Sequence, residues 1–347
     1  MDVMWITRPM DCHLHLRDGA AMGEVVAHSA RVFSRAVVMP NLTPPVRTAA
    51  DAIAYRQRIV AALPDRSDFE PLMTLYLTDT TRPEDLREAA DAGVAAVKLY
   101  PAGATTNSAE GVTDMVRVDQ LWPVVADLGM PLLVHGEVSD PAVDPFDREA
   151  VFLDRTLAPL VHHHPRLRVV LEHVSTRAGV DFVRSAGDNV AATVTPHHLL
   201  LDRSALFRGG LDPHVFCHPV LKRSDDREAV AEAVAEGHPR FFLGTDSAPH
   251  PRRSKERRGA AAGVFNAHAA VELCAEVLET LGVLSRLDAF AGRLGPAFYG
   301  VAPAEEAIRL ERSTWTVPES YPFGDDRVVP LRAGEPLAWR VVDEVER

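Results

Sequence analysis

Short apolar, β-branched runs recur along the chain, separated by stretches rich in Ala, Arg, Glu and Leu. That is the pattern of parallel strands alternating with covering helices. Eight runs read as strands: roughly residues 10–16, 35–39, 71–77, 94–99, 130–135, 167–173, 190–195 and 240–246. Segments 48–63, 83–92, 147–164 and 225–236 supply intervening helices. Eight βα units predict an α/β fold, a (β/α)8 TIM barrel, whose active site lies at the C-terminal ends of its strands. No repeat, low-complexity tract or linker divides the chain, so one domain over residues 1–347 is expected, with a barrel core at about 8–300. Beyond about residue 265 the pattern turns helical, and 313–347 carries Pro and short β-like runs such as Arg327 to Leu331. We read 301–347 as a packed C-terminal extension with no chemistry of its own.

The polar residues at the ends of these runs are His13, His15, Asn41, Lys98, His135, His173 and Asp246. In Met10 to Gly19, strand alternation puts Asp11, His13, His15 and Arg17 on one face and Cys12, Leu14 and Leu16 on the other. Two imidazoles two residues apart can hold one metal ion, although the pair alone fits buried core histidines equally well. Four histidines, a carboxylate and a lysine exceed the three protein ligands of a typical catalytic zinc. They suit two metals about 4 Å apart with an activated water between them. Beside two dications a free ammonium at Lys98 would be repelled. A buried amine loses its proton readily, however, and can then add CO2 to become a carbamate with one oxygen for each metal. Without the histidines, a snorkelling lysine would be the simpler reading.

A chain of 347 residues with 46% hydrophobic content fits a single barrel with a substantial core. No apolar run is long enough to span a membrane, and Met4-Trp5-Ile6 leads straight into the histidine run without a signal-peptide pattern. Three cysteines, Cys12, Cys217 and Cys274, make neither a disulfide framework nor a zinc ribbon, which fits a reducing, cytoplasmic setting. The net charge of -12 argues against a nucleic-acid surface. An anionic substrate would then need a local cluster of Arg, Asn and His.

Six pieces together resemble the dihydroorotases of the amidohydrolase superfamily, in their shorter, separate bacterial form. They are His13 to Gly19, Met39-Pro40-Asn41, Lys98 to Pro101, Leu133 to Glu137, Glu172-His173 and Gly244 to His250, and the likeness runs from about residue 8 to 300. The resemblance implies reversible cyclisation of N-carbamoyl-L-aspartate to L-dihydroorotate, the third step of pyrimidine synthesis. It implies two zinc ions per chain, one on His13, His15 and Asp246 and the other on His135 and His173. Carboxylated Lys98 and a hydroxide would bridge them, with Asp246 also serving as acid/base. It further implies that Arg17, Asn41 and His250 hold the substrate α-carboxylate, and that Thr105, Thr106, His218 and Ala262 also contact substrate. The loop Pro101 to Ser108 would then be a mobile cover. A histidine at 218 departs from the apolar residue expected there, with contact expected through its backbone. A homodimer is implied, and the N-terminal lead is too short for an added β-sandwich.

Other residues read as idle. His162-His163-His164 sits at a helix end, the basic run Arg252 to Arg258 is a surface loop, and His197 or His198 lies behind the ligands. Asp11 is either a carboxylate behind the ligands or a strand-entry residue. The alternatives are another cyclic amidase, such as a hydantoinase or allantoinase, a non-catalytic relative, or a structural zinc protein. The first lacks a use for Arg17 with Asn41, the second should have lost ligands, and the third needs no Asp246 at a barrel mouth.

Overall fold

The computed structural model describes residues 2–346, with side chains described through residue 342. At its centre is an eight-stranded parallel sheet whose strands lie in sequence order. They are Met10–Leu14, Arg35–Val38, Glu70–Tyr76, Ala96–Leu99, Leu132–Val134, Val169–Leu171, Val190–Val194 and Phe241–Leu243. The last strand returns to the first. Leu14 bridges Ser247, the His15 amide donates to the Ser247 carbonyl, and the Asp246 amide donates to the His13 carbonyl. All eight expected runs are strands, and the sheet closes as a TIM barrel.

Most strands stop short of the apolar run that announced them, because the residues at their ends turn out of the ladder. Arg17, His173 and Asp246 have φ of 60°, 43° and 43°, a left-handed conformation that non-glycine residues seldom adopt. The helices begin where local chemistry dictates. The Thr48 hydroxyl accepts from the Asp51 amide and the Asp51 carboxylate accepts from Thr48, a capping box that opens Ala49–Ala62. Pro83 opens Pro83–Asp91, where its missing N–H has no partner to lose. The stretch expected at 147–164 is helical but interrupted by one wide turn, Leu153–Leu157.

The barrel interior below the site is filled by Met10, Cys12, Val37, Met39, Ala96, Leu133, Val170, Ala191 and Phe242. Cys12 corrects the simple alternation expected for the first strand. It packs with Ala96 and Leu133, which lie two residues before the site residues Lys98 and His135 and share their face. His13 is also turned inward, its ring 5.1 Å from that of His173. Neighbours can share a face because the strand carries a bulge: Asp11 pairs with Ala36 but Leu14 with Val38, three residues against two.

The two ends of the chain meet in a three-stranded antiparallel sheet of Val3–Thr7, Ala307–Thr316 and Pro336–Glu346. Of the expected run 327–331, only Asp326–Val328 is a strand, paired with Tyr321–Phe323. Arg8, buried at the barrel base, ties this end down through Asp68, Glu306 and the carbonyls of Ala30 and Phe33. Trp339 is fully buried against helix Ala270–Thr280, and its indole donates to Glu279 at 3.1 Å. Among the described residues no helix is long and apolar enough to cross a membrane. Trp339→Ala should therefore cost about 3–5 kcal/mol of unfolding free energy in a urea titration. A loss below about 1 kcal/mol, the scale of a surface substitution, would mean that the sheet rests only loosely on the barrel.

Candidate active site

At the C-terminal mouth of the barrel the strand-end residues converge. His13 Nε2 lies 3.3 Å from His15 Nε2, and the two stand 3.4 Å and 3.1 Å from Asp246 Oδ1. Opposite them His135 Nδ1 is 3.2 Å from His173 Nε2, and the His173 ring contacts both His13 and His135. Lys98 is fully buried, its Nζ lies 5.0 Å from the centre of the Tyr100 ring, and it has no hydrogen-bond partner.

Two carboxylates behind these ligands fix the histidine tautomers. Glu172 Oε2 lies 2.7 Å from His13 Nδ1, and Glu137 Oε2 lies 2.9 Å from His135 Nε2. An ionised carboxylate only accepts, so those nitrogens carry the protons and His13 Nε2 and His135 Nδ1 aim lone pairs into the cavity. Asp11 lies one layer out. It accepts from the amides of His13 and Thr245 and from the Thr245 hydroxyl, joining the first strand to the last. Burial pushes its carboxyl up to about 7, against the pull of those donors.

Burial also sets the charge of the ligands. It lowers His15 to about 3 and His173 well below the ordinary value, so both imidazoles are neutral near pH 7. Burial alone would raise Asp246, but His13 and His15 outweigh it and hold the carboxyl below its usual range. Burial lowers the Lys98 ammonium to about 8, with Glu172 and Asp246 opposing. A buried set of imidazole lone pairs, a carboxylate, and orphaned Lys98 Nζ and His173 Nδ1 is costly as it stands. A metal ion would relieve the inward-facing lone pairs, and neutral imidazole with carboxylate is a donor set that suits zinc.

The expected substrate residues line the same cavity. Arg17, Asn41, Thr105, Thr106, His218 and Ala262 surround it together with the ligands, leaving about 20 Å³ of free space. His250 stands beside Arg17, its Nε2 2.9 Å from Arg17 Nη2 and 2.9 Å from the Ala262 carbonyl. A guanidinium only donates and a carbonyl only accepts, so this nitrogen can satisfy one of them at a time. Arg17 does not reach the pocket by strand alternation, as expected from its spacing. The strand ends at Leu14, and the left-handed turn at Arg17 directs the side chain to Pro249 and His250.

The loop after Lys98 is closed over this pocket. Thr106 Oγ1 donates to the Ala262 carbonyl at 3.2 Å, while Asn41 Nδ2 donates to the Thr106 carbonyl at 3.0 Å. Asn107 Nδ2 reaches back to the Asn41 carbonyl at 2.9 Å. His218 lies edge-on to Phe216, and its Nδ1 has no partner.

His162 and His163 are exposed and His164 is half-buried, all far from the mouth in function. His197, His198 and Cys217 cluster, yet both ring nitrogens of His198 are engaged, by Thr195 and by the Pro219 carbonyl. The run Arg252 to Arg258 is not wholly a surface loop, because Lys255 is buried and donates to the carbonyls of Phe216 and Gly263. Sequence reasoning also passed over Glu137 and Glu172. Their positions two after His135 and one before His173 were the available signal.

The amidohydrolase family model matches residues 10–287. A dihydroorotase of Laribacter hongkongensis is 57% identical over 343 residues, covering 98% of this chain and 99% of that protein. Among solved structures, a dihydroorotase of Campylobacter jejuni superposes with a TM-score of 0.89 at 37% identity, covering 98% of this chain and 97% of its own. The Saccharomyces cerevisiae dihydroorotase in complex with 5-fluoroorotic acid gives 0.90 at 31%, covering 99% of each chain. An L-hydantoinase of Arthrobacter aurescens gives 0.81 at 16%, covering 98% and 83%, a likeness of fold alone. His13, His15 and Asp246 lie close enough together to hold one metal ion. With matches of this identity over its full length, the chain belongs to the amidohydrolase family and, within it, to the dihydroorotases.

Proposed function

We propose that the chain catalyses the reversible closure of N-carbamoyl-L-aspartate to L-dihydroorotate with loss of water. The observation that carries this reading is the pair of donors Arg17 and Asn41, with His250 packed against Arg17, set beside a buried cluster of candidate metal ligands. His13, His15 and Asp246 would hold one zinc ion and His135 and His173 a second, with carboxylated Lys98 shared between them. When bound, the ions supply Lewis acidity to the reacting carbonyl and acidify a water.

The chain's own residues do the rest. Lys98 would lose its ammonium proton and, as the Nζ–C bond to CO2 forms, release a second N–H proton to water to leave the anionic carbamate, a step eased by the burial that lowers its pKa to about 8. Asp246 moves the proton. In ring opening it takes one from the attacking water and delivers it to the departing ring nitrogen, and in closure it runs the reverse. Arg17 and Asn41 orient the substrate through its α-carboxylate, a planar anion matched to the guanidinium fork. A carboxylate there also relieves His250, since it takes over the Arg17 donors and frees His250 Nε2 for the Ala262 carbonyl. Thr105 and Thr106 on the closed loop exclude bulk water, and the main chain at His218 and Ala262 borders the ring. Closure turns a dianion into a monoanion and consumes a proton, so acid favours closure and alkali opening. The same reading makes the enzyme a cytoplasmic homodimer with a small-molecule substrate and no nucleic-acid or membrane partner.

Wild-type enzyme should open L-dihydroorotate and leave hydantoin and allantoin essentially untouched; comparable rates on the neutral rings would replace this reading with a general cyclic amidase. Asp246→Asn should lower kcat by roughly 10²–10⁴. Metal analysis of the same sample must accompany that assay, because unchanged turnover at full loading would move the proton-transfer role elsewhere.

Lys98→Ala should lose nearly all activity and the second metal, with part of the rate restored by short carboxylic acids that fill the gap. A fully active Lys98→Ala enzyme under limiting metal would dismiss the bridge. Arg17→Met removes a half-buried charge that a bound anion would desolvate, a change of roughly 2–5 kcal/mol against about 0–1 for a surface ion pair. Its kcat/KM should fall by about 30-fold or more, and Arg17→Lys should recover only part. Metal content should not change in either variant. A kcat/KM within about threefold of wild type would remove Arg17 as the carboxylate anchor.

A further inference from the structure

Lys255 is a charged side chain only 3% exposed, set in an otherwise solvent-facing basic run. Its ammonium donates to the Phe216 carbonyl at 2.8 Å and the Gly263 carbonyl at 2.6 Å, and lies 5.9 Å from the centre of the Phe216 ring. The Gly263 amide in turn donates to the Phe216 carbonyl at 2.9 Å. Lys255 thus ties together two separate stretches of chain that both border the pocket, one leading to His218 and the other containing Ala262. Its hydrogen-bond partners are neutral, and the acid that acts on it, Asp212, does so only at a distance.

Burying an ammonium on carbonyls alone is expensive unless its charge serves something. The charge here lies near Arg17, and each of these cations adds to the field felt by the pocket. Lys255 also opposes protonation of His250. Asp246 is the one carboxylate among the pocket's lining residues and stands with His13 and His15, so the Arg17 side, with Lys255 behind it, is fitted to an anion. We infer that Lys255 is a positioning residue for the substrate carboxylate: its ammonium fixes the two main-chain segments that border the ligand and keeps a second positive charge behind Arg17. The inference rests on the carboxylate pocket proposed above. It adds a part to it that does not touch substrate.

Two variants separate the clamp from the charge. Lys255→Met removes both, whereas Lys255→Gln keeps an amide donor for the carbonyls without the charge. Steady-state kinetics on the metal-loaded enzymes should show KM for L-dihydroorotate raised about tenfold in Lys255→Met with kcat within about threefold. Lys255→Gln should fall between. The wild-type KM should also rise more steeply with added salt than that of either variant, because a lost charge removes a screened attraction. A folded, metal-loaded Lys255→Met with unchanged KM, or with kcat alone reduced, overturns the inference. If Lys255→Met does not fold, Lys255→Gln decides by the same KM and salt criteria. Wild-type turnover measured alongside keeps the two claims apart. A wild type inactive on dihydroorotate overturns the functional reading, whereas an active wild type with an unaffected variant overturns only the role of Lys255.

Discussion

Four imidazoles, a carboxylate and an amine share one water-poor space at the mouth of the barrel, and the amine of Lys98 has no hydrogen-bond partner. Cations would stabilise such a set, since buried lone pairs and an orphaned amine otherwise lose their hydration without return. Much of the surrounding structure serves that constraint. Glu172 and Glu137 hold two of the rings by their far nitrogens, and Asp11 with Thr245 locks the first strand to the last directly beneath them.

The barrel meets the constraint by breaking its own regularity where ligands are needed. A bulge in the first strand lets Cys12 fill the core while His13 still faces the centre. Left-handed residues at Arg17, His173 and Asp246 re-aim side chains that a regular strand would send elsewhere. Strain of this kind costs of order 1–3 kcal/mol at each position and survives only where packing over-determines it. His173 and Asp246 have buried neighbours on both sides, Glu172 and Val174 for one and Thr245 and Ser247 for the other, and the cost falls at the candidate site.

The closed loop explains why so little free space remains in the pocket. It is held to the pocket by hydrogen bonds from Asn41, Tyr76, Thr106 and Asn107, each exchangeable for water or ligand. Asn41 lines the pocket and also holds the loop, so a ligand that engages its side chain competes with loop closure.

The sequence by itself determined the architecture and which polar side chains gather at the strand ends. Eight buried parallel strands must be apolar along their length, and a ligand at a strand end stands out against that background, as His135 does after Leu132-Leu133-Val134. The motifs also carried Arg17, Asn41 and His250 through resemblance. Tertiary structure decided what depends on partners far away in the chain. Lys255 looked like one more surface cation, because burial is set by Phe216 and Gly263 and not by its charged neighbours. Glu172 became the holder of His13 only when the barrel closed across 159 residues. The inward turn of Cys12 and the true path of Arg17 came from a bulge and a left-handed residue, and neither leaves a period in the sequence. Alternation and spacing describe regular backbone, and this protein does its work where the backbone is irregular.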